Sequence, residues 1–146
     1  MDFLASGKVI QAGTMNAQNS SVAAALATLT ELEQQAQPIY GKFYRLGETL
    51  RTALEEAARN SGHQILIQGL GPMFHMGFTP LSKVSCYRDT FSYDQQKYRA
   101  FVRGMRERGI RLIPRGLWYL SAAHTAEDMD EAIEAARATF AEMNIR

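Results

Sequence analysis

The chain has 146 residues, 46% of them hydrophobic, which is the size of one ordinary domain with enough apolar surface for a buried core and so argues against a disordered segment. With 16 basic residues against 15 acidic ones the formal net charge is +1, so no general attraction to nucleic acid or to an anionic membrane surface is expected. Cys86 is the only cysteine, which excludes an intrachain disulfide and a multi-cysteine metal site, and no apolar run approaches the roughly 18 residues of a membrane helix. The opening Met1-Asp2-Phe3-Leu4-Ala5 lacks the basic start and long apolar run of an export signal, so a cytoplasmic protein is expected.

Val9-Ile10-Gln11 reads as a short apolar strand that passes through Ala12-Gly13-Thr14 toward an alanine-rich helix, Ser20 to Ala36. Val22, Leu26 and Leu29 recur there at helical spacing, with Asn19 or Ser20 as N-cap, and predict close packing against a neighbour. Pro38 resets the chain. A second helical period follows in Ile39, Phe43, Leu46, Leu50, Leu54 and Ala57, with Arg45, Glu48, Arg51 and Glu55 largely on the other face, and ends near Gly62. His63 to Gln68 and Met73 to Phe78 are β-rich runs joined by Gly69-Leu70-Gly71-Pro72, a predicted hairpin.

Pro80 to Phe91 has no clear periodicity and reads as a loop that covers something. Ser92 or Asp94 caps the next helix, whose apolar stripe is Tyr98, Phe101, Val102 and Met105 and which Gly109 ends. Arg111 to Pro114 and Leu117 to Ser121 read as two short strands broken at Pro114-Arg115-Gly116. The last helix begins at Thr125, where Thr125 and Asp128 form a capping box, and buries Met129, Ile133, Ala136, Phe140 and Met143. This order predicts an α+β domain with a small, mostly antiparallel sheet covered by helices on one face.

Two positions stand out chemically. Thr14, after Gly13 and shortly before a helix, can offer a hydroxyl and backbone N–H groups to a phosphate, or can simply make a local turn. Arg115, between Pro114 and Gly116, sits on a stiff turn where its planar fork suits a substrate carboxylate, or is a solvated turn arginine. Of Trp118 and Tyr119, which alternate faces in a strand, at least one belongs to the core. His63, His75 and His124 lack the spacing of a metal site, and nothing in the sequence pairs one of them with Cys86 as base and nucleophile.

Taken together, Gln11-Ala12-Gly13-Thr14, the run Ala23 to Leu29, Gly71-Pro72-Met73-Phe74-His75-Met76-Gly77-Phe78, and Arg108-Gly109-Ile110 through Ser121-Ala122-Ala123-His124-Thr125 resemble class III pyridoxal-phosphate (PLP) aminotransferases. The nearest branch resembles glutamate-1-semialdehyde aminomutase. The resemblance covers nearly the whole chain but only the family's C-terminal part. It implies that residues 1–36 are the tail of a large cofactor-binding domain, and that 37–146 form the C-terminal small α+β domain of a homodimer with active sites at the subunit interface. It also implies that Gly13 and Thr14 close the phosphate cup of PLP bound to the other subunit. Arg115 would lie on the turn facing the entrance for a small amino or keto acid.

Where the family reads Gly-Asn-Pro after the threonine region, this chain has Ala17-Gln18-Asn19. The Schiff-base lysine, the aspartate on the pyridine nitrogen and the main phosphate loop of the family correspond to nothing here, and none of Lys8, Lys42, Lys83 or Lys97 matches the lysine position. Transamination needs that lysine, so the chain alone is expected to be inactive, with PLP not held tightly. On this reading Met1 corresponds to an internal methionine of the family, which leaves a truncation, a split gene and an incomplete reading frame open. A second expectation, of another class, is a stand-alone α+β module that self-associates through a former interdomain face.

Overall fold

A computed structural model describes residues 2–9 and 12–143, in two compact units, 1–37 and 38–146. In the first unit a short helix, α1, spans Asp2–Ala5, and a longer one, α2, spans Asn19–Gln34. Ile10 and Gln11 of the expected strand lie outside the described residues, and Val9 is in a bend. The N-cap of α2 is Gln18 in an extended conformation, not Asn19 or Ser20, because those two are already helical and cannot fold back to cap themselves. No residue of α2 is buried.

Helix α3, Ala36–Asn60, begins before Pro38, which occupies the third helical position, where its missing N–H leaves no bond unmade. Its face of Leu46, Leu50, Leu54 and Ala57 is buried, as the helical period predicts. Strands β1, Ile65–Leu70, and β2, Met73–Phe78, pair antiparallel with Leu70 opposite Met73, so the strand continues through Gly69-Leu70 and the reversal shrinks to Gly71-Pro72. A 3-10 helix, Tyr87–Ser92, breaks the expected loop. Helix α4, Gln95–Glu107, is capped by the Asp94 carboxylate, which accepts from the Lys97 N–H at 2.9 Å. Strand β3, Leu117–Tyr119, pairs antiparallel with β2, and the last helix, α5, runs Ala126–Met143. Thr125 and Asp128 form the expected cap, with the Thr125 N–H donating to Asp128 Oδ2 at 2.7 Å and the Asp128 N–H to Thr125 Oγ1 at 3.2 Å.

The second predicted hairpin is therefore half correct. Arg111 to Pro114 is not a strand and does not pair with the outer edge of β3; Ile110 and Leu112 pack on the core instead. The sheet order is β1-β2-β3, all antiparallel, and the α+β class holds.

Cross-strand partners share a face, so the register divides the sheet in two. Ile67, Phe74, Met76, Phe78 and Trp118 join the buried residues of α3, α4 and α5 in one core. Phe101 and Phe140 meet at its centre, both 0% exposed, their ring centroids 4.6 Å apart. The other face carries Gln68, His75, Gly77 and Leu117, with Leu70, Met73 and Tyr119 toward the hairpin end. The loop does cover part of that face: the Gln68 side chain accepts from the Val84 N–H at 2.7 Å and donates to the Val84 carbonyl at 3.3 Å.

Candidate functional site

Gly13 and Thr14 belong to the first unit. The Asn16 N–H donates to the Gly13 carbonyl at 3.0 Å and closes a turn in which Thr14 is exposed. The Thr14 hydroxyl makes no hydrogen bond among the described residues, and the Gln18 side chain at the N-cap of α2 accepts from the Ser21 hydroxyl at 3.2 Å but from no backbone N–H of the first turn. Such a turn has donors to spare for an anion, and the positive end of α2 is four residues on.

Arg115 belongs to the second unit, on the turn that links residues 110–113, of which Ile110 and Leu112 pack on the core, to β3. The Gly116 N–H reaches the Ile113 carbonyl at 3.4 Å, and the Met76 N–H donates to the Gly116 carbonyl at 2.8 Å, so the turn is tied to β2. Gly116 has φ of 86°, and a Cβ there would fall 2.5 Å from both His75 Nε2 and the Met76 carbonyl oxygen, so only glycine fits. The Arg115 side chain is exposed, with no ion pair or hydrogen bond to its guanidinium among the described residues.

His75 is what holds this turn from the sheet side. Its Nε2 lies 3.0 Å from the Arg115 carbonyl oxygen, which can only accept, so Nε2 carries the proton and Nδ1 is the acceptor. Nδ1 faces the Tyr93 hydroxyl at 3.5 Å, and the two rings stack with centroids 5.1 Å apart and planes 16° from parallel. Tyr93 can lie there because Gly77 has no side chain: a Cβ would come within 2.7 Å of its ring. Next to Tyr93, the Asp94 N–H donates to the Phe78 carbonyl at 2.9 Å, anchoring the start of α4 to β2.

Burial lowers the His75 pKa below 6.5, against the opposing pull of the Arg115 carbonyl, and keeps the imidazole neutral at neutral pH. Burial, helped by the Asp89 charge, raises that of Tyr93. Behind them, burial pushes Tyr98 up to about 12, although the N–H groups of Trp118 and Gly116 pull the other way. The two rings that stack at the turn are thus neutral at neutral pH, with the arginine charge on the turn and the Asp89 charge on the Tyr93 side.

Trp118 is buried against Phe74, with ring centroids 5.5 Å apart, whereas Tyr119 is exposed. His63 is buried and bonds the Phe140 carbonyl at 3.1 Å, His124 accepts from the Ser121 N–H at 2.8 Å, and no group of three or more metal-ligating side chains occurs among the described residues. Cys86 is exposed and bonds Asp89. Lys8, Lys83 and Lys97 are exposed, and Lys42 donates to the Ala122 carbonyl at 2.9 Å, so none is enclosed. Among the described residues no helix is long and apolar enough to cross a membrane. Sequence reasoning missed the roles of His75 and Tyr93; the only signal for them was the His-Met-Gly pattern that lets a ring rest on Gly77.

No protein-family profile matches the chain. Its fold does match solved structures. A β-phenylalanine aminotransferase from Variovorax paradoxus is similar over 94% of this chain and 31% of its own, with a TM-score of 0.79 at 24% identity. For the FumI protein of Sphingopyxis sp. MTA144 the coverages are 95% and 30%, with a TM-score of 0.78 at 23% identity. For an omega-transaminase from Sphaerobacter thermophilus they are 90% and 30%, with 0.73 at 21%. The chain thus spans about 30% of the length of the solved structures it matches, and nearly all of it shares the fold of that portion of them.

Proposed function

We propose that this chain is the C-terminal portion of a class III PLP-dependent aminotransferase or aminomutase, whose parent moves an amino group on or off a small amino or keto acid. The observation that carries the reading is the fold likeness over 90 to 97% of this chain to transaminases of which it spans only about 30%. In this reading residues 1–36 are the tail of the cofactor domain and 37–146 the small domain.

The residues present fit one end of the cofactor. The unengaged Thr14 hydroxyl and the Gly13 turn suit its phosphate, held on the other subunit of a homodimer, while no enclosed lysine is present to bind its carbonyl carbon. PLP, when bound in the parent, supplies the electron sink for amino transfer. Arg115 would pair with the substrate carboxylate through its planar fork. The chain alone is then inactive. Mixed with PLP and amino donors it is expected to give no turnover; turnover together with one specific lysine joined to PLP after borohydride treatment would overturn the reading.

A second reading rests on one observation. Val22, Leu26 and Leu29 of α2 are 52%, 65% and 63% exposed, an apolar stripe that suits a stand-alone self-associating module. Sedimentation velocity over a concentration series is expected to show association in that case, and a strict monomer contradicts it.

A further inference from the structure

We propose that His75 is a positioning residue for Arg115: its Nε2–H grips the Arg115 carbonyl and fixes the direction in which the turn presents the guanidinium to a small carboxylate. This rests on the reading of Arg115 as a carboxylate contact. Three observations converge on the role. The imidazole bonds the backbone of the very residue whose side chain has no ion pair among the described residues, across 40 positions of sequence, so the contact is tertiary and not a by-product of the turn. The ring is held in turn by Tyr93, which stacks on it and offers a hydroxyl to Nδ1. The glycines at 77 and 116 are the two places where a side chain would push apart the Tyr93 ring or the His75 to Arg115 contact.

A floppy turn would let the long arginine side chain sample many directions and lose entropy on binding. A turn clamped at two successive carbonyls, by His75 on that of Arg115 and by Met76 on that of Gly116, removes backbone freedom beforehand. The His75 side chain reaches no carboxylate itself in this scheme; it acts through the arginine.

The test uses the 15N-labelled chain titrated with succinate, with succinamide as the uncharged control, and follows the Arg115 Nε–H and Gly116 amide signals by NMR. The wild type is expected to shift saturably with succinate only, and the Arg115→Ala chain to show no such shift at Gly116. His75→Phe keeps an aromatic ring on Tyr93 but removes the donor, and is expected to weaken binding roughly threefold to tenfold, the worth of one hydrogen bond. His75→Gln, whose amide N–H can still reach the carbonyl, is expected to restore affinity to within about twofold. The imidazole nitrogens of the wild type should report the Nε2–H tautomer. Equal affinity in the wild type and a natively folded His75→Phe chain overturns the proposal while leaving Arg115 as a carboxylate contact. If no saturable shift occurs in the wild type, the Arg115 reading fails and this role fails with it. Should His75→Phe not fold, Gly77→Ala, which displaces only the Tyr93 brace, carries the same comparison, with weakened binding expected and unchanged binding overturning it.

Discussion

Helices α2 and α5 are of similar length, 16 and 18 residues, and both are rich in alanine, yet they end differently. Helix α5 buries seven residues, among them Met129, Ile133 and Phe140, whereas α2 buries none. The same kind of apolar period therefore stabilises one unit and leaves the other exposing Val22, Leu26 and Leu29. An apolar stripe reports that a helix needs a partner; it does not supply one. The two candidate contacts inherit that difference. Thr14 stands on a turn ahead of a helix without a buried side chain, and Arg115 on a turn bonded to the central strand of a sheet.

The largest test of this contrast removes one large side chain from each helix. Phe140→Ala empties the centre of the aromatic cluster and is expected to cost about 3–5 kcal/mol, enough to unfold a marginal domain. Leu26→Ala removes a side chain that is 65% exposed and is expected to change stability by no more than about 0.5 kcal/mol. Urea midpoints measured on both variants decide it. A comparable loss at Leu26 would show that α2 is stabilised by packing after all, and would break the comparison.

What the sequence made legible follows from the same physics. The Thr125 and Asp128 cap was readable because both partners lie within one helical turn, and the α3, α4 and α5 faces because a period of 3.6 records burial directly. Arg111 to Pro114 misled because packing on a core, as Ile110 and Leu112 do, produces the same alternation as strand pairing. At the candidate site the Pro-Arg-Gly turn was visible as a rigid platform. The clamp was not, since His75 and Arg115 are 40 residues apart and no local pattern joins them. The cover of Gln68 by Val84 was hidden for a related reason: it is a side-chain to backbone contact, which leaves no hydropathy period.

A smaller test compares the two helix starts. Asp94 caps α4 through the Lys97 N–H, and Asp94→Ala is expected to cost about 1 kcal/mol. Gln18 makes no such bond on α2, so Gln18→Ala should stay within about 0.5 kcal/mol. The Asp94 variant has a second expected effect: it keeps the backbone bond to the Phe78 carbonyl but frees the first turn of α4, which starts beside Tyr93. Loosening it should broaden the His75 ring signals in NMR, while Gln18→Ala leaves them unchanged.

The smallest effect expected is in the pH dependence, and it isolates His75. Burial lowers its pKa in the folded chain, so between that value and the ordinary 6.5 the unfolded chain binds more protons than the folded one. Stability contributed by the neutral ring is complete above 6.5, falls as pH drops through that value, and stops falling once the folded imidazole is protonated as well. The groups facing the ring are the Tyr93 hydroxyl from the residues just before α4 and the Arg115 carbonyl from the turn, with Asp89 acting on Tyr93. His75→Gln removes the titrating group while His63 and His124 remain, so the difference between the two urea-midpoint profiles belongs to His75. A flatter acid limb below 6.5 in the variant is expected. Parallel profiles would mean that the imidazole is as solvated in the folded chain as in the unfolded one, and the rigid platform under Arg115 would then lose one of its two clamps.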